Sequence, residues 1–374
     1  MSESQRRVLS IFGTRPEAVK MAPVVERLAA TPGVESSVCV TAQHRQMLDQ
    51  VLDLFDIQPD YDLDIMRPDQ ALSDLTAALF TGLDPVLQDS QPDWVLIQGD
   101  TTTVMVAALL AYYHRIRVGH VEAGLRTGDK WQPFPEEVNR RIAGTIADLH
   151  FAPTPQAREN LLGEGVPSER VIVTGNPVID ALQTIAARPY EFESGSLAGI
   201  PWNRRVILVT AHRRENFGQP LDDIFSAIRH IAKNYAEQVH FVYPVHLNPN
   251  VNRPAHRALG GIPNITLLDP LDYLPMVHLM KRAYLVLTDS GGIQEEAPAF
   301  GVPVLVMRRL TERPEAVEVG TARLVGTDPE KIVAEASRLL DDEGAYAAMA
   351  RAINPFGDGQ ASERIVQALL EWQE

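Results

Sequence analysis

Short apolar runs alternate with helical patterns along the first half of the chain. Six of these runs predict buried strands, at residues 8–12, 37–41, 94–97, 118–121, 149–152 and 171–173. Between them apolar residues recur at helical spacing, as Leu75, Leu79 and Leu83 do. Regular alternation of strands and helices is typical of a parallel, doubly wound sheet.

The rhythm breaks at residues 188–203, where prolines and glycines stand among polar residues, and this stretch predicts a linker. The pattern then restarts, with predicted strands at 206–209, 239–245, 265–268, 284–287 and 302–306. Closing helices are predicted at 328–340, 344–352 and 361–372. We therefore expect an α/β protein of two Rossmann-like domains that face each other, with ligands in the cleft between them.

Composition narrows the class of protein. The chain has 374 residues, 45% hydrophobic and 22% charged, which suits a globular protein with room for two domains. No apolar run approaches the ~20 residues of a membrane span. Cys39 is the single cysteine, so a disulfide framework is excluded and a cytoplasmic location is expected. The net charge of -15 argues against a duplex nucleic-acid partner.

The stretch 288–298 follows an apolar run and carries the small residues of a sharp turn, Ser290, Gly291 and Gly292. A helix should follow, with Glu295 and Glu296 in its early turns, where they would suit the helix dipole. Strand, turn and helix N-terminus together predict an anion site whose natural guest is a diphosphate. An ordinary turn without a ligand is the alternative.

Three carboxylates stand out by their placement. Asp100 and Glu122 each come directly after a predicted strand, and Glu136 opens a helix after two prolines. Because parallel strands end at one edge of the sheet, Asp100 and Glu122 should reach the same space. Clustered carboxylates separate one another's pKa values, which suits acid and base roles. Asp100 could instead cap the next helix, and Glu136 could be an ordinary first-turn acid.

Basic and imidazole side chains occupy other strand ends. His212 precedes two arginines after the strand at 206–209, which suits phosphate contact and acid–base work. Arg313 follows another strand, and Arg15 and Lys20 lie at the first strand–helix junction. His246 is interpreted as a residue that shapes its loop.

Two common fingerprints are missing. Neither half contains G-x-G-x-x-G after a strand or G-x-x-x-x-G-K-[ST], so a bound nicotinamide cofactor or a P-loop nucleotide is disfavoured. No cysteine–histidine pattern for zinc is present. We therefore expect neither a cofactor nor a metal.

Taken in order, these segments closely resemble the non-hydrolysing bacterial UDP-N-acetylglucosamine 2-epimerases. The resemblance runs from about Val8 to the final helix. It is carried by the motifs at residues 13–17, 99–103, 120–127, 135–137, 212–215, 288–298 and 312–315. It implies the glycosyltransferase-B architecture, with a last helix that crosses back to the first domain. The implied domains are 1–175 with the helix 360–374, and a UDP-binding domain 176–359.

The resemblance also implies a reaction: UDP-GlcNAc and UDP-ManNAc interconvert through elimination of UDP to 2-acetamidoglucal and re-addition on the other face. The product would feed surface polysaccharide. By matching position, the implied catalytic residues are Asp100, Glu122, Glu136 and His212. Substrate contacts are implied for Arg15, Lys20, Asp100, Glu122, His212, Leu271, Met276, Ser290, Gly291, Gly292, Glu296 and Arg313.

Three further expectations come from the resemblance. Glu296 should accept hydrogen bonds from the ribose hydroxyls, since a carboxylate would repel phosphate. Gln43, His44 and Arg45 match a second, activating substrate site. A homodimer is usual for such relatives.

Other functions fit the same fold. A retaining glycosyltransferase that uses a UDP-sugar would share the diphosphate site, but it gives no reason for three converging carboxylates. A hydrolysing epimerase would release the free sugar. A catalytically silent UDP-sugar sensor would keep the UDP contacts and could dispense with the carboxylates.

Overall fold

The protein is described by a computed structural model that covers residues 5–41, 45–67 and 70–372. The chain forms two compact units. The first runs to Ala181 and takes up the chain again from Phe356, and the second spans Leu182–Pro355. Among the described residues, every helix is too short or too polar to cross a membrane.

Each unit is built on one parallel sheet. Within the described residues, the first sheet has seven strands in the order β3-β2-β1-β4-β5-β6-β7, and the second has six in the order β10-β9-β8-β11-β12-β13. The strands are β1 Arg6–Phe12, β2 Val34–Val40, β3 Tyr61–Asp62, β4 Trp94–Gln98, β5 Arg117–Val121, β6 Leu149–Ala152, β7 Val171–Val173, β8 Arg205–Thr210, β9 Val239–Pro244, β10 Ile265–Leu268, β11 Leu285–Thr288, β12 Val304–Val306 and β13 Ala322–Leu324.

Helices connect these strands and cover the sheets. They are α1 Arg15–Ala29, α2 Arg45–Leu54, α3 Leu72–Ser90, α4 Thr102–Tyr113, α5 Glu136–Ile146, α6 Pro155–Gly163, α7 Pro177–Ala187, α8 Gln219–Asn234, α9 Pro249–Leu259, α10 Tyr273–Arg282, α11 Gly291–Glu296, α12 Pro314–Glu318, α13 Pro329–Asp341, α14 Glu343–Ala350 and α15 Ala361–Glu371. The predicted α/β class with doubly wound parallel sheets is confirmed.

The apolar runs form strands because both faces of each sheet are covered. In the first unit Leu9, Ile11 and Val95 are fully buried against helices α3 and α4. In the second, Ile207 and Leu287 pack with residues of α8. A parallel strand buried on both faces reads as a continuous apolar run, which is why its position could be predicted.

The last helix, α15, packs on the first unit, as predicted. Asp180 on α7 accepts hydrogen bonds from the amides of Ala361 (3.1 Å) and Ser362 (2.8 Å) at the start of α15. At its far end Trp372 meets Trp94 edge-to-face, with ring centroids 6.0 Å apart. These contacts cap the helix and fix both of its ends.

Strand order sets where ligands can bind. Each sheet has a topological switch point, between β1 and β4 in the first unit and between β8 and β11 in the second. Ligands of open α/β sheets bind outside the carboxyl ends of the strands at this point. The predicted site residues on these loops are Arg15 and Asp100 in the first unit, and His212 and Ser290 in the second.

Candidate active site

The first switch point is organised by Glu17. Thr14 caps α1, and Glu17 completes a capping box by accepting from the amides of Gly13 (2.8 Å) and Thr14 (2.7 Å). Its second carboxylate oxygen accepts from the Thr101 hydroxyl at 2.6 Å. Burial raises the pKa of Glu17, against the opposing effect of these hydrogen bonds. The loop after β1 is thereby joined to the loop after β4.

Glu122 lies at the end of β5 and is surrounded by hydrogen-bond donors. Its backbone adopts the left-handed conformation (φ 61°), and its side chain is 5% exposed. The Lys20 ammonium donates to both carboxylate oxygens at 2.5 and 2.7 Å. Amide groups of Gln98 and Asn176 also donate to it, the latter at 3.4 Å. Lys20, expected at UDP, therefore contacts the predicted catalytic carboxylate in this structure.

Asp100 follows β4 and is held from helix α5. Arg140 forms an ion pair with its carboxylate, and Asn139 donates to its backbone carbonyl at 3.0 Å. Thr101, not Asp100, accepts the capping hydrogen bond of α4, so the helix-cap interpretation of Asp100 is wrong. Burial raises the pKa of Asp100, Arg140 opposes that rise, and the Glu122 charge adds to it. Asp100 and Glu122 thus meet at one sheet edge, as predicted.

Glu136 opens α5, one helical turn before the residues that contact Asp100. Positions three and four apart share a helix face, so Glu136 lies on the same face as Asn139 and Arg140. Glu137, its neighbour, is fully buried and pairs with Arg140 and Arg141. The interpretation of a structural first-turn acid therefore fits Glu137, while Glu136 remains half-buried at the start of the helix.

Beneath the carboxylates lies a buried histidine. His120 on β5 is paired in register with His150 on β6. Its Nε2–H donates to the carbonyl of Gly99 at 2.7 Å, directly before Asp100. Burial lowers the pKa of His120 to about 4 and that of His150 to about 3, so both imidazoles are neutral near pH 7.

In the second unit, Asp289 organises the switch point. It is fully buried and accepts from the backbone amides of His212 (2.9 Å) and Arg213 (2.8 Å) and from the Asn216 side chain (3.0 Å). The loop after β8 is therefore fixed to the end of β11. Asp289 lies in the predicted anion stretch 288–298, but the sequence pattern does not predict this role.

His212 lies on this loop with its ring partly exposed. Its imidazole stacks on His246, with ring centroids 5.4 Å apart, and Nδ1 lies 3.8 Å from Asp289 Oδ1. Burial lowers the pKa of His212, which outweighs the raising effect of Asp289. His246 accepts from the Asn248 amide at 3.0 Å, so its predicted loop-shaping role is confirmed.

The two glycines of the turn 290–292 lie close to polar side chains. A β-carbon at Gly291 would lie 3.7 Å from the Arg213 guanidinium, and one at Gly292 would lie 3.4 Å from Glu296 Oε1. Ser290 is the N-cap of α11, and the first amides of a helix have no partner within it. Both guanidinium and helix amides suit an anion.

One expectation for this helix is wrong. Glu295 and Glu296 were expected in the early turns, near the positive end of the helix dipole. Helix α11 has six residues, and these two acids are its last two, so its first turn carries no acid. The dipole argument for them therefore fails, because that effect is confined to the terminal turn. Glu295 is buried and forms an ion pair with Arg313, the predicted UDP contact.

The remaining predicted residues lie farther along the chain or outside the described part. Leu271 is buried just before α10, and Met276 is a half-buried residue of α10. Gln43 and His44 of the predicted activating site lie outside the described residues. Arg45 begins α2, and its side chain is likewise not described.

Sequence reasoning missed the residues that hold the carboxylates. These are Gln98, Asn139, Arg140 and Asn176. The sequence offers a feature that could have pointed to each of them. Gln98 is a polar residue closing an apolar run, and Asn139 and Arg140 follow Glu136 at helical spacing. Asn176 follows a predicted strand and a glycine.

The chemistry open to this arrangement is specific. Two carboxylates, each with a cation beside it, can stabilise positive charge on a bound ring and take a proton from it. The glycine turn, Arg213 and the His212 imidazole of the second unit can bind a phosphate, to which the imidazole N–H can donate a hydrogen bond.

Known proteins match the whole chain. The family model of UDP-N-acetylglucosamine 2-epimerase matches residues 26–370. The UDP-N-acetylglucosamine 2-epimerase of Yersinia pestis is 58% identical over 373 residues, 98% of this chain and 99% of that relative. The protein of the same name from Escherichia coli (strain K12) is 55% identical over 369 residues, covering 97% and 98% of the two chains.

Solved structures agree. The crystal structure of UDP-GlcNAc 2-epimerase from Neisseria meningitidis bound to UDP-GlcNAc matches with a TM-score of 0.88 and 48% identity. The match covers 98% of this chain and all of that one (100%). It confirms the predicted glycosyltransferase-B class of fold. The chain therefore belongs to the UDP-N-acetylglucosamine 2-epimerase family.

Proposed function

We propose that this epimerase interconverts UDP-GlcNAc and UDP-ManNAc by eliminating UDP across C1–C2 and adding it back on the other face. The observation that carries the proposal is the pair of carboxylates, Asp100 and Glu122, held together at a switch point with Lys20 and Arg140 beside them. A redox cofactor is not needed for this route, because no hydride leaves the sugar.

The order of bond changes follows from the chemistry of the sugar. The C2 proton has no adjacent ring carbonyl, so direct removal is difficult. Departure of UDP first, or nearly so, places positive charge on C1, which ionised carboxylates stabilise. One carboxylate of Asp100, Glu122 and Glu136 then takes the C2 proton to give 2-acetamidoglucal. General-base help of this kind contributes roughly 10²–10⁴ in rate.

UDP is assigned to residues of the second unit. Gly291 and Gly292 face the diphosphate with their amides, and Glu296 accepts from ribose hydroxyls. Ser290 contacts the diphosphate through its hydroxyl, because its own amide donates to Thr288 Oγ1 at 2.9 Å. His212 donates to the leaving diphosphate, and the neighbouring Arg213 also contacts it. Arg15, Arg313, Leu271 and Met276 complete the proposed substrate contacts, and the backbone at Leu271 and Met276 suits the uracil.

Several finer expectations belong to the same proposal. The domains are 1–175 with 360–374, and 176–359. The enzyme acts in the cytoplasm as a homodimer and supplies a ManNAc-type precursor of surface polysaccharide. Gln43, His44 and Arg45 form the activating site. Sedimentation equilibrium of the purified protein measures the oligomer directly.

The alternatives are not favoured. A retaining glycosyltransferase and a silent sensor share the fold, but the family match extends over residues 26–370 and the relatives named are epimerases. A sensor also gives no reason for cations paired with both Asp100 and Glu122.

The test is incubation with UDP-GlcNAc in D₂O without NAD. We expect UDP-ManNAc that carries deuterium at C2, seen by proton NMR, because the proton removed exchanges with solvent before re-addition. In the same assay Glu122→Gln should lower turnover by at least ~10² while UDP affinity stays unchanged. Glu159→Gln, a substitution of an exposed acid on α6, is the matched control.

Two outcomes contradict the proposal. An epimer that retains its C2 proton in full excludes the elimination, and tight UDP binding without any epimer favours the sensor. Wild-type turnover in Glu122→Gln removes Glu122 from the catalytic set.

A further inference from the structure

We infer that Asn176 is a positioning residue for Glu122, and that it joins this carboxylate to the paired segments by which the chain leaves and re-enters the first unit. The inference rests on the proposed function, in which Glu122 is catalytic. It adds to that function a residue that touches neither UDP nor sugar in the scheme above.

The side chain of Asn176 is buried and oriented. The residue is 1% exposed, and its Oδ1 accepts from the Val178 amide at 3.2 Å. This contact fixes which end of the side-chain amide faces Glu122. Nδ2 is therefore the end that donates to Glu122 Oε1, at 3.4 Å.

The backbone of Asn176 is fixed as well. Its N–H donates to the carbonyl of Phe356 at 2.7 Å, where the chain re-enters the first unit. Next to it, Gly175 and Gly357 approach so closely that a β-carbon on Gly175 would lie 3.1 Å from Gly357 Cα. Both glycines have positive φ, at 84° and 130°. The backbones of the two segments are thus in contact directly beside Asn176, the residue that donates to Glu122.

An amide suits this position for a chemical reason. Among the described residues, the charged and titratable groups that face Glu122 include Lys20 on α1, Asp100 after β4 and His120 on β5. Each of these groups can gain or lose a proton, and its charge then affects how readily the Glu122 carboxylate is protonated. The amides of Asn176 and Gln98 carry no charge at any working pH. They orient the carboxylate without taking up or releasing a proton themselves.

The test substitutes Asn176→Asp, which keeps an oxygen for the Val178 amide but replaces the donor by an anion. A like charge beside Glu122 raises its pKa relative to wild type. We expect kcat near pH 7 to fall roughly 10- to 100-fold, with the acid limb of the pH–rate profile moved upward and KM for UDP-GlcNAc little changed.

A second measurement is independent of turnover. In protein labelled with ¹³C at the glutamate carboxyl carbon, the Glu122 signal is identified by its loss in Glu122→Gln. Its titration should move to higher pH in Asn176→Asp. The control is Thr174→Val, which removes the 2.8 Å hydrogen bond from Thr174 to Gly175 on the same segment without touching Glu122. It should keep the wild-type titration and pH profile.

The outcomes distinguish a failure of the proposed epimerase function from a failure of the positioning role of Asn176. Wild type without epimerase activity refutes the proposed function, and the carboxyl titration still decides the role of Asn176. An unchanged Glu122 titration in folded Asn176→Asp overturns the inference, as does an equal loss of kcat in Thr174→Val. Should Asn176→Asp not fold, Asn176→Ser takes its place, since its hydroxyl is too short to reach Glu122. Wild-type kcat in that variant overturns the inference too.

Discussion

At the scale of single residues, the site is a set of carboxylates that each have a cation next to them. Lys20 lies on Glu122 and Arg140 lies on Asp100. Asp100 shows the balance plainly, because burial and Glu122 raise its pKa while Arg140 and Lys20 lower it. Burial is the largest of these influences, and the cations limit the rise in pKa that burial causes.

Arg140→Met should expose this balance. Without the guanidinium the pKa of Asp100 rises further, so the ionised form is lost at higher pH than in wild type. We expect the acid limb of the pH–rate profile to move upward and kcat below neutrality to fall about tenfold or more. The Asp100 side chain keeps 28% of its surface exposed, so water can solvate the unpaired carboxylate. The loss of stability should therefore stay below the ~3–5 kcal/mol of a fully buried pair.

Arg141→Met is the matched control, since Arg141 is the next residue of α5, is half exposed and forms an ion pair with Glu137 at 3.3 Å. It should leave the pH–rate profile where it is. A wild-type acid limb in Arg140→Met would show that Arg140 does not govern the ionisation of Asp100.

Among the contacts of the site, the sequence predicts only those that follow from the direction of the strands. Asp100 and Glu122 could be placed together because parallel strands end at one edge. Their partners could not. Arg140 reaches Asp100 from a helix forty positions later, and Asn176 reaches Glu122 from a crossover segment, so both contacts depend on tertiary packing. Periodicity carries no information on such distances.

At the scale of elements, prediction succeeded where the signal was long. Strands β1, β2 and β4 to β12 follow apolar runs that predict them. Strands β3 and β13 are not predicted, because Tyr61–Asp62 has only two residues and Ala322–Leu324 has an arginine between its two apolar residues, so neither forms an apolar run. Helix α11 is so short that its acids fall at its end, which sequence spacing did not reveal.

The capping box of α1 is the element on which the first switch point depends. Glu17 accepts from two amides of its own loop and from Thr101 on the next loop. Glu17→Ala would leave these buried donors without an acceptor, so we expect a loss of roughly 2–4 kcal/mol in the free energy of unfolding. Urea unfolding measures it.

Glu17→Gln separates geometry from charge in the same assay, because its amide keeps one acceptor oxygen and should recover part of the loss. Glu26→Ala on the exposed face of α1 should stay within about 0.5 kcal/mol of wild type. A Glu17→Ala variant as stable as Glu26→Ala would show that the capping box contributes nothing to stability.

At the scale of the whole molecule, two neutral histidines lie side by side in the first sheet. His120 and His150 are 1% exposed and paired across β5 and β6. Burial lowers their pKa values from 6.5 to about 4 and about 3. Folding thus keeps both rings uncharged under conditions in which the unfolded chain protonates them.

The direction in which stability changes with pH follows from the difference between the folded and unfolded pKa values. Because both folded pKa values lie below the unfolded one, the stability from neutral His120 is fully present above pH 6.5 and is lost as pH falls toward 4. The shift of His120 corresponds to a loss on the order of 3 kcal/mol across that window. His120→Gln keeps an amide donor for Gly99 but cannot be protonated, so its free energy of unfolding should fall less steeply with acid.

Urea unfolding at a series of pH values measures this slope through tryptophan fluorescence, since Trp94, Trp131 and Trp372 belong to the first unit. His256→Gln, a substitution of an exposed histidine on α9, should keep stability within about 0.5 kcal/mol of wild type at neutral pH. Equal slopes for His120→Gln and wild type between pH 6.5 and 4 would mean that His120 is protonated in the folded protein. The turn that carries Asp100 would then rest on a charged ring, and acid should weaken catalysis before it unfolds the molecule.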